Sequence, residues 1–276
     1  MYLRFKDGKS KVLTLSYDDG VGQDIRLIDI MNQHGLKGTF NINSGLYTPE
    51  EEKRDKFCRR LKLSEAKELY TNSGQEVAVH AFSHPMLERL KKEEVIVEIL
   101  EDRKNIEKDY GVIARGMAYP YGTYDDKVIE LLEKCGICYS RTVNSTENFK
   151  LPENWLTLHP TCHHKNPRLM ELAKSFAEEK LSHFTETRMF YLWGHSYEFD
   201  NDDNWNVIEE FAEYIGGRED IWYATNIEIY DYVKAYENLC VSIDGKRVYN
   251  PSATDVWFAD SNNYVHLVKG GETLCL

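Results

Sequence analysis

Nowhere does the sequence hold an apolar run approaching the roughly 18 to 20 residues that span a bilayer, which excludes a transmembrane helix. Its first stretch, "MYLRFKDGKSKVLTL", carries charges where a signal peptide needs its apolar segment, so taken at face value the expected location is the cytoplasm. Basic residues are in deficit. Against 46 Asp and Glu stand 34 Lys and Arg, a formal net charge of −12. No dense Lys/Arg cluster interrupts that balance, so neither nucleic acid nor an anionic membrane is expected as a partner held by bulk electrostatics. Cysteine is too sparse for a disulfide scaffold: six residues, Cys58, Cys135, Cys138, Cys162, Cys240 and Cys275, are spread over 276 positions. Internal repeats and low-complexity linkers are missing too.

What remains is a globular chain, with 42% apolar residues and 12% aromatics. Its length suits one domain of α/β-barrel size or two smaller ones. The "CGIC" at 135–138 has redox spacing. It lies where a helix gives way to a strand, whereas a reactive pair gains its acidity where a strand gives way to a helix. Coincidence is the better reading.

Strand-length apolar runs recur: "VLTLSY" (12–17), "GTFNINS" (38–44), "EVAVHAF" (76–82), "GMAYP" (116–120), "CYSRTV" (138–143), "WLTLH" (155–159), "MFYLWGH" (189–195) and "IWYAT" (221–225). Helix signals fall between them. Thr48-Pro49-Glu50-Glu51 and Asn166-Pro167 are start signals, Thr225 with Glu228 makes a capping box, and 92–108 is the longest helical stretch. Strand–helix alternation over most of the chain predicts parallel β/α units. The expected architecture is an α/β fold, a deformed (β/α) barrel of about seven parallel strands over residues 1–238. A doubly wound open sheet is the alternative. Residues 239–276 change to short strands with Asp-Gly, Ser-Asn-Asn and Gly-Gly turns, a small β-rich appendage packed on the barrel.

Ligands of such folds gather at the carboxyl ends of the strands. Asp18, Asp19, His80, Tyr119 to Tyr121 and His195 all fall there, on four separate predicted strands. "YDDG" places two like charges side by side, and a bound cation would offset their repulsion. "VAVHAFSHP" adds His80 and His84, four residues apart and able to face one side of a tight turn. One carboxylate and two imidazoles leave open positions for water, as catalytic metal sites do, and accommodate zinc, nickel, cobalt or iron.

In order and separation, "LTLSYDDG", "HGLKGTFNIN", "EVAVHAFSHP", "AYPYG" and "YLWGHS" resemble the successive motifs of polysaccharide deacetylases, carbohydrate esterase family 4, across roughly residues 10–235. That resemblance implies a deformed barrel that uses one divalent metal, zinc foremost, to remove N- or O-acetyl groups from saccharides. By position it implies Asp19, His80 and His84 as metal ligands. Asp18 becomes the general base toward the metal-bound water, His195 the general acid, and the Tyr121 backbone N–H an oxyanion donor. The expected partner is an acetylated saccharide, most simply an N-acetylated amino sugar. His163, His164, Trp155 and Tyr119 are candidate substrate contacts.

Two features depart from the family pattern. Ala118 occupies the place of an arginine that orients the base, and Arg115, three residues upstream, is no secure substitute. No aspartate supports the acid histidine near "PENWLTLHPTCHH", although Glu198 or Asp200 could orient the imidazole, one of His159, His163 and His164 could take over support, and together these three could ligate a second metal. Two other functions therefore stay open: hydrolysis of a small non-sugar amide or cyclic imide on the same fold, and saccharide binding with impaired catalysis.

Overall fold

The structure, a computed structural model, describes residues 1–52, 59–181 and 187–276. Its elements, in chain order, are β1 (Tyr2–Arg4), β2 (Lys11–Asp18), α1 (Asp24–Gln33), β3 (Gly38–Ile42), α2 (Leu63–Ser73), β4 (Glu76–Val79), α3 (Lys92–Tyr110), β5 (Gly116–Ala118), α4 (Asp126–Lys134) and β6 (Tyr139–Arg141). These are followed by β7 (Cys162–His163), α5 (Leu169–Glu178), β8 (Arg188–Gly194), α6 (Tyr197–Asn201), α7 (Asn206–Ile215), β9 (Ile221–Tyr223) and α8 (Asn226–Glu237). Five strands complete the described chain: β10 (Cys240–Val241), β11 (Arg247–Tyr249), β12 (Val256–Ala259), β13 (Val265–Val268) and β14 (Thr273–Cys275).

β2 is the spine of the fold. All eight of its residues are buried, because a central parallel strand is covered on both faces. One edge pairs with β8 along most of its length. The other pairs with β9 over Lys11–Leu13 and with β3 over Leu15–Asp18. The parallel sheet runs β6-β5-β4-β3-β2-β8-β7, with β9 beside β2. Its two ends meet through one extended segment. Leu158 exchanges backbone hydrogen bonds with Ser140 and Thr142 beside β6, while Thr161 N–H and His164 N–H donate to Tyr191 and Trp193 on β8. The sheet thereby curls into the deformed barrel that the alternation predicts.

Outside the sheet, Leu13, Leu15, Phe40, Ile99, Phe190, Phe211 and their neighbours form the main apolar core under the helices. Inside, polar side chains meet the start of α8 beside a second apolar cluster that includes Val12, Met189 and Ile229. Thr225 caps that helix by accepting from Glu228 N–H. Asn226 then meets Thr14 and the Tyr191 hydroxyl, and Glu76 accepts from Thr39, from the Tyr139 hydroxyl and from Ile227 N–H. Burial raises the Glu76 carboxyl to about 7 despite these donors.

The expected strand at 155–159 does not form. Asn154 caps a tight turn there by accepting from Leu156 N–H, leaving only Leu158 in a bridge to Arg141. The strand of this segment is the two-residue β7, farther on. Glu50 to Glu52 form a turn and bend rather than a first helical turn, and the continuation of that expected helix, with Cys58, lies outside the described residues. The capping box at Thr225 and the long helix from Lys92 form as expected. In the C-terminal part, β12 pairs with β1 as well as β13, so the N-terminal strand belongs to that small sheet, while β10, β11 and β14 form another.

Gly116 shows how tightly β5 meets β6. A Cβ added there would lie 2.1 Å from the ring of Tyr139, which is tethered by its hydroxyl to Glu76 at 2.6 Å and cannot swing away. Gly116→Ala should cost about 1–3 kcal/mol as overpacking, read as a lower Tm in a thermal melt.

Candidate metal centre and acid–base site

At the carboxyl rim, the turns leaving three strands take up backbone that L-residues avoid. Asp19 follows β2 with φ 87°, Ala81 and His84 follow β4 at 60° and 58°, and Tyr121 follows β5 at 58°. Such positions cost of order 1–3 kcal/mol each and cluster where function needs them. Here the β2 and β4 turns bring three candidate ligand atoms together: one atom each from Asp19, His80 and His84 lies within 4.8 Å of the others. His84 Nε2 is 3.8 Å and His80 Nε2 4.0 Å from Asp19 Oδ1.

Both histidines hold the protonation state that ligation would require. His80 Nδ1 lies 2.8 Å from the Ala118 carbonyl oxygen, which can only accept, so the ring proton is on Nδ1 and the Nε2 lone pair faces the site. Burial lowers the pKa of His80, while burial and the neighbouring His80 lower His84 to about 4. Both rings are therefore neutral near pH 7, the form that ligates. The donor set fits a divalent ion of the zinc, nickel, cobalt or iron kind.

Beside this cluster, Asp18 is almost fully buried. Burial alone would raise its pKa. The Arg141 guanidinium, the His80 and His195 imidazoles and the Asn41 amide together outweigh that and bring it to about 2. Arg141 comes from β6, is fully buried, donates from Nη2 to Asp18 Oδ2 and lies 4.3 Å over the Trp193 ring. Asn41 Nδ2 donates to the other oxygen at 2.8 Å. Arg115 plays no part: it forms a two-pronged pair with Asp231 at 3.0 and 2.6 Å.

His195 Nε2 lies 3.9 Å from Asp18 Oδ2. Its Nδ1 faces Glu198 Oε2 at 3.3 Å. Glu198 is held by its surroundings, with His163 Nε2 at 3.1 Å, Lys165 Nζ at 3.1 Å and the His195 backbone N–H at 3.2 Å. Burial works against ionisation of Glu198, but hydrogen bonds from His163 and His195 hold its carboxyl well below the usual range. For His195 burial acts downward, yet Glu198, Asp18 and Asp19 prevail and raise its pKa. Asp200 is occupied elsewhere, accepting from Trp205 Nε1 and Gln23 Nε2.

His163, His164 and Glu198 also have metal-like proximity. However, Lys165 N–H donates to His163 Nδ1 at 3.1 Å, which puts that ring's proton on Nε2, toward Glu198. This favours a hydrogen-bonded support over a second metal. His164 is buried between Tyr17 and Phe199.

A cavity of about 440 Å³ opens over the cluster, lined by Asp18, Asp19, His80, His84, His195 and by Tyr119, Tyr121, Trp193 and Tyr197 among others. Tyr119 reaches it but spends its hydroxyl on the Leu156 carbonyl at 2.8 Å. Trp155 lies away from it, packed edge-on against Tyr230. His163 and His164 stand behind His195 rather than on the wall. As for Cys138, burial pushes its thiol up to about 12, in keeping with an inert "CGIC".

Fold and rim together define a parallel β/α barrel with a carboxylate–imidazole centre at its carboxyl end. Residues 5–140, just under half of the chain, match the family model "Polysaccharide deacetylase", the family that its motifs resemble. It is 30% identical over 124 residues to chitin deacetylase 1 of Cryptococcus neoformans var. grubii, covering 45% of this chain and 24% of the relative. With the peptidoglycan-N-acetylglucosamine deacetylase PgdA of Listeria monocytogenes it shares 26% over 125 residues, covering 44% and 24%. The match thus spans about a quarter of the length of these curated relatives. In fold it is similar to a putative polysaccharide deacetylase from Mycobacterium smegmatis, with TM-score 0.57 at 14% identity over 86% of this chain and 95% of that one.

Replacing Arg141 by Met removes the main counter-charge while keeping the apolar contact on Trp193. The Asp18 pKa should then rise from about 2 as burial takes over. Carbon-13 NMR titration of the Asp18 carboxyl in the metal-free protein checks this; an unmoved Asp18 would show that Arg141 is not its controlling partner.

Proposed function

We propose that the protein is a metal-dependent hydrolase that removes acetyl groups, N-acetyl foremost, from an amino sugar or oligosaccharide. The observation that carries this reading is the convergence of Asp19, His80 and His84 beside a buried, ionised Asp18. The similarity to chitin and peptidoglycan-N-acetylglucosamine deacetylases supports N-acetylglucosamine-type units as the substrate class.

A divalent ion held by Asp19, His80 and His84 would polarise the acetyl carbonyl and make water more acidic. Asp18 then accepts the proton of the attacking water as the new C–O bond forms. Its hydrogen bonds to Arg141 and Asn41 fix the carboxylate's direction without consuming its remaining lone pairs. The Tyr121 N–H, on its strained turn, stabilises the oxyanion. When the C–N bond breaks, His195 Nε2–H gives its proton to the departing nitrogen, releasing amine and acetate. Glu198 keeps the His195 proton inventory suited to that step, holding Nδ1–H and favouring the imidazolium. The aromatic wall of Tyr121, Trp193 and Tyr197 offers faces for a sugar ring.

Arg141 and Glu198 supply the supports absent from the family positions, which favours turnover over saccharide binding alone. The test is acetate release from N-acetylated oligosaccharides by zinc-loaded protein. Asp18→Asn and His80→Ala should each lower kcat about 10²-fold or more, while only His80→Ala loses metal. No turnover of any acetylated saccharide by the metal-loaded wild type would overturn the reading. Turnover confined to non-sugar amides would transfer it to the smaller substrates.

The pH profile gives a second check. His195 must be protonated to act as acid, so activity falls as pH rises through its elevated pKa. Glu198→Gln removes the carboxylate that raises that pKa, and the alkaline limb of kcat/KM should move to lower pH.

A further inference from the structure

The segment 59–61 crosses the turn that carries Asp19. Leu61 N–H donates to Gly20 O, and Gly22 N–H donates to Arg59 O. This places the Arg60 side chain over the aspartate. Arg60 Nη1 donates to the Asp19 backbone carbonyl, and Nη2 reaches Asp19 Oδ1 at 3.0 Å. The same Nη1 meets Asn43 Oδ1 at 2.7 Å. Buried Asn43, just past β3, spends its amide on the other ligand turn: Nδ2 donates to the carbonyls of His80 and Ala81, the latter at 2.7 Å. One chain of hydrogen bonds therefore runs from Asp19 through Arg60 and Asn43 to His80 and Ala81. It ties the β2 turn to the β4 turn at the residues with positive φ, Asp19 and Ala81. Neither Arg60 nor Asn43 lines the cavity, so neither is placed to touch substrate.

We propose that Arg60, acting through Asn43 and Asp19, is a positioning residue that holds the two ligand-bearing turns in register and so sets the affinity of the centre for its divalent ion. This inference rests on the metal-dependent reading given above. The planar guanidinium suits the task because it makes contacts in fixed directions to a carbonyl, a carboxylate and an amide oxygen at once, which an ammonium cannot do. Partners that orient a ligand without touching the ion commonly set metal affinity over a ten- to hundredfold range. Against this bracing works the charge itself, since a cation 3.0 Å from the Asp19 oxygen repels a second cation. The two effects predict opposite signs, so the measurement decides between them.

The experiment is competition of metal-free protein with a chromophoric chelator for Zn²⁺, with circular dichroism to confirm folding. Arg60→Met should bind Zn²⁺ about ten- to hundredfold more weakly than wild type, and Arg60→Lys, which keeps the charge but loses the fork, should also weaken it. In an Asn43→Ala background, which cuts the link to the β4 turn and leaves all three ligands in place, the Arg60→Met effect should shrink, because the two residues act through one chain of contacts. Equal or tighter binding by Arg60→Met, wild-type affinity in Arg60→Lys, or an undiminished effect without Asn43 would each overturn the brace. Failure of the wild type to bind any divalent metal would instead overturn the metal-dependent function itself.

Discussion

A carboxylate buried at the end of the central strand constrains the rest of the site. Removing Asp18 from water is costly unless its charge is paired and hydrogen-bonded. The barrel answers from four elements: Arg141 from β6, Asn41 from β3, and the imidazoles of His80 after β4 and His195 after β8. Those contacts dictate which strands must stand beside one another. Arg141 in turn has to be buried, and it lies against the Trp193 ring on β8, so the pair spans the barrel interior. The curl of the sheet and the ionisation of Asp18 are aspects of one arrangement.

Strain is distributed by the same logic. Turns leaving β2, β4 and β5 adopt positive φ at non-glycine residues, and buried polar groups fasten them. Asp102 on α3 accepts from His80 N–H at 2.9 Å and Ser44 N–H at 2.7 Å, while Asn43 takes the carbonyls on the other side of His80. Asp24, at the start of α1, accepts from Val21 N–H and from Ser196 Oγ, linking the turn after Asp19 to the residue after His195. A turn fastened at both its N–H and its carbonyls has little freedom to relax, which is the preorganisation a metal centre needs.

How much of this was legible in the sequence depended on the spacing of the partners. The Asp18–Asp19 pair and the His80–His84 pair are each local, and strand–helix alternation was enough to set both at one rim. Glu198 and Asp200 are equivalent candidates in the sequence, both close after His195, and only the fold separates them by bonding the Asp200 carboxylate to Trp205 and Gln23. Arg141 was not legible. It lies 123 positions from Asp18, in a short strand where a basic residue reads as a solvent-facing charge. Arg60 was hidden for the same reason, since only the folded path of the segment around 59–61 brings it over Asp19. At 155–159 the apolar alternation suggested a strand, and the Asn154 cap overrode it. Trp155 accordingly turned toward Tyr230 and away from the cavity.

The site also sorts chemically identical side chains. Each acid near the cavity has its own cation: Asp18 has Arg141, Asp19 has Arg60, and Glu198 has Lys165. With those charges matched, the histidines respond to what is left. His80 and His84 sit where burial dominates, so their pKa values fall and they present lone pairs. His195 sits where Glu198 and the two aspartates outweigh burial, so its pKa rises and it presents a proton. Two rings able to hold a cation and one able to deliver a proton therefore face the same cavity, and the division follows from which carboxylate each ring can reach. Moving the Glu198 contact from His195 to His84 would remove both functions at once, because a protonated His84 cannot ligate and a neutral His195 has no second proton to give.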